Sequence, residues 1–241
     1  MNIILVGYGK MGKLIAETIA DTDDMKLVGI VDIDQARGFD EIDGIADVVM
    51  DFSYPGNLTM TLDYVKQTDC ALVLGTTGLT AEQIEEVNEA SKHSPIVFSY
   101  NYSMGIAVMR RALSMMAPAL REFDIEIVET HHNKKADAPS GTAKLLKNAV
   151  DPSGELDAID GRSGIVGARA NREIGMHAIR GGTVAGEHTV MFFGDQESIE
   201  IKHSASNRRI FVNGAVRAAR FACGKAAGLY TMDDILWEDE R

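Results

Sequence analysis

Residues 3–6 (IILV) form an unbroken apolar run that leads straight into Gly7, Gly9 and Gly12. Such a run suits a strand buried on both faces of a parallel sheet. The G-x-G-x-x-G spacing then dictates the next step of the chain. It gives a tight turn at Gly7, close backbone approach to a pyrophosphate at Gly9, and tight helix–strand packing at Gly12. A helix beginning near Lys10 would aim its unpaired amides and positive dipole end at the same point. Alone the motif is weak. Here a strand precedes it, a helix follows it, and Asp32 closes the second strand at the customary distance of about 20 residues.

The strand signal recurs at 27–31, 48–52, 71–74 and 96–98, with helical stretches at 10–20, 55–66 and 80–92 between them. Thr80 and Gln83 have the spacing of a capping box. Residues 33–46 have too few apolar positions for a helix and are expected to form a loop. Alternation of this kind predicts an α/β, Rossmann-like doubly wound parallel sheet over residues 1–102. Near residue 102 the pattern changes. Ile106, Val108, Met109, Leu113, Met116 and Leu120 repeat at helical spacing, whereas DIEIVE, 187–193 and 197–203 alternate at strand spacing. Residues 103–208 are therefore expected to form a second, α+β domain with a mostly antiparallel or mixed open sheet, one face of it wet. Residues 151–175, rich in glycine and charge, predict a long mobile loop or extended connection. From Arg209 the chain returns to helix, and residues 209–241 are expected to rejoin the first domain.

A formal net charge of −12 argues against nonspecific binding to nucleic acid or an anionic membrane. Only Cys70 and Cys223 are present, each in an apolar segment, so a reducing cytoplasm is expected and a disulfide framework is not. No basic leader precedes the first strand.

Asp32 stands where an acid accepts hydrogen bonds from the adenosine ribose, which favours NADH over NADPH; a solvated strand-end acid is the alternative. Arg37 is close enough in sequence to leave a 2′-phosphate open. The turn GTTG (75–78) follows the fourth strand and offers amides and hydroxyls to a nicotinamide or ribose, or simply feeds the Thr80 cap.

The densest chemistry lies in ETHHNKKADAPSGTA (129–143). Neighbouring residues on a strand point to opposite faces, so His131 and His132 are poorly placed to chelate one ion, and no metal is expected. Acid/base or anion chemistry remains. A histidine exchanges protons near neutral pH, and Lys134 and Lys135 supply positive charge. Ser140 reads as a helix N-cap, with the amides of Gly141 and Thr142 free to bind a carboxylate.

This stretch closely resembles the E-x-H-H-x-x-K-x-D-A-P-S-G-T-A signature of the dihydrodipicolinate reductase family. GYGKMG, DFSYP (51–55), GTTG, IRGGTVAGEHTVMF (179–192) and NGAVRAA (213–219) look like their family counterparts too, so the likeness spans nearly the whole chain. It is weakest at 33–46 and 151–175. The resemblance implies NAD(P)H-dependent reduction of an unsaturated heterocyclic dicarboxylate to tetrahydrodipicolinate, in diaminopimelate and lysine biosynthesis. It assigns His131 as general acid and Lys135 as the lysine that assists protonation and binds substrate. His132, Ser140, Gly141 and Thr142 match substrate contacts. Gly7, Lys10, Met11, Gly12, Asp32, Gly75, Thr77, Ser99 and Tyr102 match or flank cofactor positions. Arg180, Gly181 and Gly182 fall near the substrate domain's sheet, with no catalytic role expected. The resemblance also implies a homotetramer assembled through that sheet. Because cofactor and substrate would bind different domains, hinge closure near residues 102 and 209 is expected. The residues alone also permit another NAD(P)-dependent dehydrogenase of a small dicarboxylate, or a dinucleotide sensor without activity.

Overall fold

The computed structural model describes residues 1–32 and 38–238. The chain divides into two compact units, Met1–Met104 with Arg209–Arg241, and Gly105–Arg208.

The first unit is built on six parallel strands: β1 (Asn2–Val6), β2 (Lys26–Val31), β3 (Val48–Asp51), β4 (Ala71–Leu74), β5 (Pro95–Phe98) and β11 (Gly228–Tyr230). They lie in the order β11-β5-β4-β3-β1-β2, reversing at β1 as in a doubly wound sheet. Ile3, Ile4, Leu5 and Val6 are all fully buried, the reason β1 reads as a solid apolar run. Helices α1 (Lys10–Ala20), α2 (Leu58–Thr68) and α3 (Ala81–Ser91) connect the strands, and α6 (Arg209–Ala222) returns to this unit late in the chain. Leu58, Leu62, Leu72, Val87 and Ile96 pack into one core, each burial contributing about 1.5–3 kcal/mol. The capping box at α3 forms as its spacing predicts, with Thr80 N donating to Gln83 Oε1 (3.0 Å) and Gln83 N to Thr80 Oγ1 (3.3 Å).

Two expectations need adjustment in this unit. Residues 55–57 form a 3-10 turn ahead of α2 rather than its first turn. The stretch expected as a loop at 33–46 holds a 3-10 turn at Phe39–Glu41, while residues 33–37, and with them Arg37, lie outside the described residues. Cys70 is buried and Cys223 exposed, and both are free thiols.

The second unit is a five-stranded sheet in the order β10-β9-β6-β8-β7. Its strands are β6 (Asp124–His131), β7 (Asp157–Asp160), β8 (Glu173–Arg180), β9 (Gly186–Phe193) and β10 (Ser198–Ala205). The sheet is mixed: β9 runs antiparallel to β6 and β10, whereas β8 runs parallel to β6 and β7. Helices α4 (Met104–Met116) and α5 (Gly141–Val150) bury Met109, Leu113, Ala143 and Leu146 against its inner face, on Ile125, Ile127, Ile174, Val190 and Phe192. Residues 151–175, expected as a loop or extended connection, contain β7 and the start of β8. The four residues of β7 (DAID) are nearly all exposed on an edge, so they show no apolar alternation. Residues 161–172 have no regular element, yet Arg162 and Arg169 both pin them to Glu126 on the outer sheet face.

Candidate active site

The alternation of β6 places Ile125, Ile127, Glu129 and His131 on one face. The first two enter the apolar core. The last two extend beyond it, and strand register gathers further polar groups around them: Glu129 opposes His188, His188 opposes His203, and His131 opposes Arg180. The carboxyl-terminal end of β6 is thus the polar end of an otherwise apolar face.

Glu129 is the hub of this end, at 1% exposure. Arg180 grips its carboxylate with both terminal nitrogens (2.8 and 2.7 Å), His131 Nδ1 lies 2.6 Å from Oε2, and the Ser140 amide donates to Oε1 (3.1 Å). Burial pushes the Glu129 carboxyl up, but Arg180 and His131 more than offset it and hold it below the usual range. The ionised carboxylate accepts the His131 Nδ1 proton, which leaves Nε2 as the ring nitrogen not engaged by Glu129. Arg180 also donates to the Asp137 carbonyl (2.8 Å), and Gly181 N donates to His131 O (2.9 Å), so the turn after β6 is tied to the end of β8.

That turn carries the lysines. Lys134 is exposed, while Lys135 is half-buried and pairs with Asp137 at 2.8 Å. The Lys135 ammonium holds the Asp137 carboxyl below its ordinary range. His132 follows the last strand residue and is half-buried. Ser140 caps α5 as its sequence predicts, its Oγ accepting from Ala143 N at 3.1 Å. Gly141 is exposed, Thr142 half-buried, and no acidic residue occupies the first turn of α5 to oppose an incoming anion. The second unit therefore joins His131 and the start of α5 through one carboxylate.

In the first unit the glycine turn has the geometry its spacing requires. Gly7 has φ +90, and a Cβ on Gly12 would stand 2.1 Å from the Gly7 carbonyl oxygen. Around Gly9 no atom lies within 4 Å of a would-be Cβ, and α1 has no acid in its first turn, so a phosphate can approach this helix start. Lys10 is exposed, and Met11 and Asp32 are half-buried at the same end of the sheet. Residues of this kind fit a dinucleotide.

Behind the turn is a group that sequence reading missed. Asp51 is fully buried and accepts from Thr61 Oγ1 (2.8 Å), Thr76 Oγ1 (2.7 Å), Ser53 Oγ (2.6 Å) and Ser53 N (3.0 Å). It clasps the DFSYP stretch to the GTTG turn. Thr76 is thereby consumed in the scaffold, while Gly75 is half-buried and Thr77 stays exposed. Ser99 accepts from Asn101 N (3.1 Å) and donates to Asn101 O (2.8 Å). Tyr102 is 2% exposed, its hydroxyl beside the carbonyls of Leu74 (2.9 Å) and Val97 (3.0 Å). Its tie to the cofactor end runs through those strands and not through a free hydroxyl. Among the described residues, no group of three or more His, Cys, Asp or Glu side chains is arranged to hold a metal ion, and no helix is long and apolar enough to cross a membrane.

Hydride chemistry needs what these units separately offer, a dinucleotide turn and a place to handle protons and anions; the class is the two-unit oxidoreductases that use a nicotinamide dinucleotide. Comparison with known proteins makes the assignment specific. Profiles of the dihydrodipicolinate reductase N-terminus and C-terminus match residues 1–102 and 105–236. The 4-hydroxy-tetrahydrodipicolinate reductase of Brachyspira hyodysenteriae is 42% identical over 98% of this chain and 100% of its own length. That of Clostridium novyi is 43% identical over 98% of each chain. Among solved structures, the dipicolinate-bound dihydrodipicolinate reductase of Paenisporosarcina sp. TG-14 shares the fold, with a TM-score of 0.75, 22% identity, and coverage of 96% of this chain and 97% of that one. The chain belongs to the dihydrodipicolinate reductase family, oxidoreductases of the reduction step in lysine and diaminopimelate biosynthesis.

Proposed function

We propose that the second unit binds the heterocyclic dicarboxylate and protonates it while NAD(P)H, bound to the first unit, reduces it to tetrahydrodipicolinate. The observation that carries this reading is the double engagement of Glu129, which fixes both His131 and the Ser140 amide. When bound, the dinucleotide supplies a hydride to a ring carbon conjugated to an imine. Electron density then moves onto a neighbouring atom, which must take a proton. His131, as the imidazolium with its Nδ1 proton held on Glu129, donates the proton on Nε2 and is left neutral, and Lys135 assists the protonation and binds substrate. Ser140 with the amides of Gly141 and Thr142 holds one carboxylate, and His132 completes the contacts.

At the cofactor end, the turn from Gly7 to Gly12 with Lys10 and Met11 takes the pyrophosphate. Asp32 takes the ribose, so NADH is preferred over NADPH. Gly75, Thr77 and Ser99 border the nicotinamide half, and Tyr102 braces it from within. The reading includes a cytoplasmic homotetramer assembled through the outer face of the second sheet, where Ile179 and Phe193 are large and exposed. Steady-state kinetics with enzymatically generated dihydrodipicolinate and each reduced cofactor test the proposal. Consumption of NADH is expected; tight NADH binding without turnover overturns it.

A further inference from the structure

The mechanism above leaves one buried histidine unused. His188 lies on β9, 4% exposed, with its ring 5.2 Å from that of His131 in an edge-to-face arrangement. Its Nε2 is 3.1 Å from Ser140 Oγ. Its Nδ1 is buried and has no hydrogen-bond partner among the described residues.

These contacts decide the tautomer. A neutral imidazole carries one N–H and one bare nitrogen. Were the proton on Nδ1, a buried donor would be orphaned, and Nε2 would consume the Ser140 hydroxyl proton as an acceptor. Orphaned buried N–H groups are rarer than orphaned acceptors. A doubly protonated ring would add a buried charge beside His131, and burial first, then the His131 charge, lowers the His188 pKa to about 4. The proton therefore sits on Nε2 and is donated to Ser140 Oγ.

The consequence falls on Ser140. Its oxygen has two lone pairs and one hydrogen. Ala143 N–H takes one lone pair and His188 Nε2–H takes the other. The hydroxyl hydrogen is left for a third partner, at the helix start that carries the Gly141 and Thr142 amides. We propose that His188 is a positioning residue that turns the Ser140 hydroxyl into a dedicated donor to the substrate carboxylate. This rests on reading the start of α5 as a carboxylate cradle.

Two measurements on the full chain separate the parts of this argument. In 15N-histidine NMR, the His188 signal, identified by its loss in His188→Gln, is expected to show a protonated Nε2 and a bare Nδ1 at neutral pH. A protonated Nδ1 overturns the proposal whatever the chain catalyses. Calorimetric titration with pyridine-2,6-dicarboxylate then reads the consequence. His188→Leu is expected to weaken binding about tenfold, the scale of one hydrogen bond to a charged group, with NADH affinity unchanged. His188→Gln, whose amide keeps a donor near the Nε2 position, is expected to recover most of the loss. In a Ser140→Ala background, His188→Leu should add little. Wild-type affinity in His188→Leu, a Gln variant no better than Leu, or losses that multiply across the two sites would each overturn it. Failure of the wild-type chain to bind the dicarboxylate despite an Nε2 tautomer sinks the cradle reading, and the proposal with it.

Discussion

Glu129 keeps its charge in a buried site because its partners supply four directed hydrogen-bond donors, two of them from Arg180 and one each from His131 and the Ser140 amide. A carboxylate so held acts as a rigid reference for His131 on one side and Ser140 on the other. Lys135 pairs with Asp137 on the turn that follows His131. Lys135→Ala is accordingly expected to lower kcat by about 10²-fold while leaving NADH affinity nearly unchanged. Collapse of cofactor affinity, read by fluorescence titration, would place Lys135 in the wrong subsite. His188 makes a separate prediction about stability. Its pKa is lowered in the fold to about 4, against about 6.5 unfolded. Between those values the unfolded chain binds more protons, so stability is fully present above the unfolded pKa and declines as pH falls toward the folded one. The loss should reach about 3 kcal/mol at most, and His188→Gln should flatten it. Urea unfolding of both proteins at several pH values checks this. Equal pH slopes would contradict it.

At the scale of elements, the βα turn after β1 and the start of α5 share one feature, a helix N-terminus with no acidic residue in its first turn. The first depends on contact between backbones. Gly12→Ala places a methyl group 2.1 Å from the Gly7 carbonyl, so it should cost about 1–3 kcal/mol and weaken NADH binding, both measurable by thermal melts with and without cofactor. A variant as stable as the parent would refute the tight α1–β1 packing. Asp32→Ala should weaken NADH more than NADPH; equal effects would mean that Asp32 does not touch the ribose. These elements were legible in the sequence because each carries a local signal. The continuous run of β1, the Thr80–Gln83 box and the Ser140 cap are all written within a few residues. β7 and β11 were not, since short, largely exposed edge strands bury too little to impose a pattern. Glu129 was readable in principle, two residues before His131 and so on the same face. Arg180 and His188 reach the site through the register of β8 and β9, and Asp51 meets Thr76 across two strands. No local pattern encodes such pairings.

Across the whole molecule, each unit carries its own half of the chemistry proposed above. The parallel sheet presents a glycine turn that suits a dinucleotide, and the mixed sheet gathers His131, Arg180 and Ser140 around Glu129 at the polar end of an apolar face. Family membership states the reaction step; the geometry suggests which residues serve it. In the proposed reaction, hydride comes from the nicotinamide and a proton from the protein side. Turnover with NADH deuterated at the transferring position of the nicotinamide, followed by mass spectrometry of the product, tests it most directly. One deuterium per molecule of tetrahydrodipicolinate formed is expected. Product free of deuterium, with NADH consumed, would contradict it.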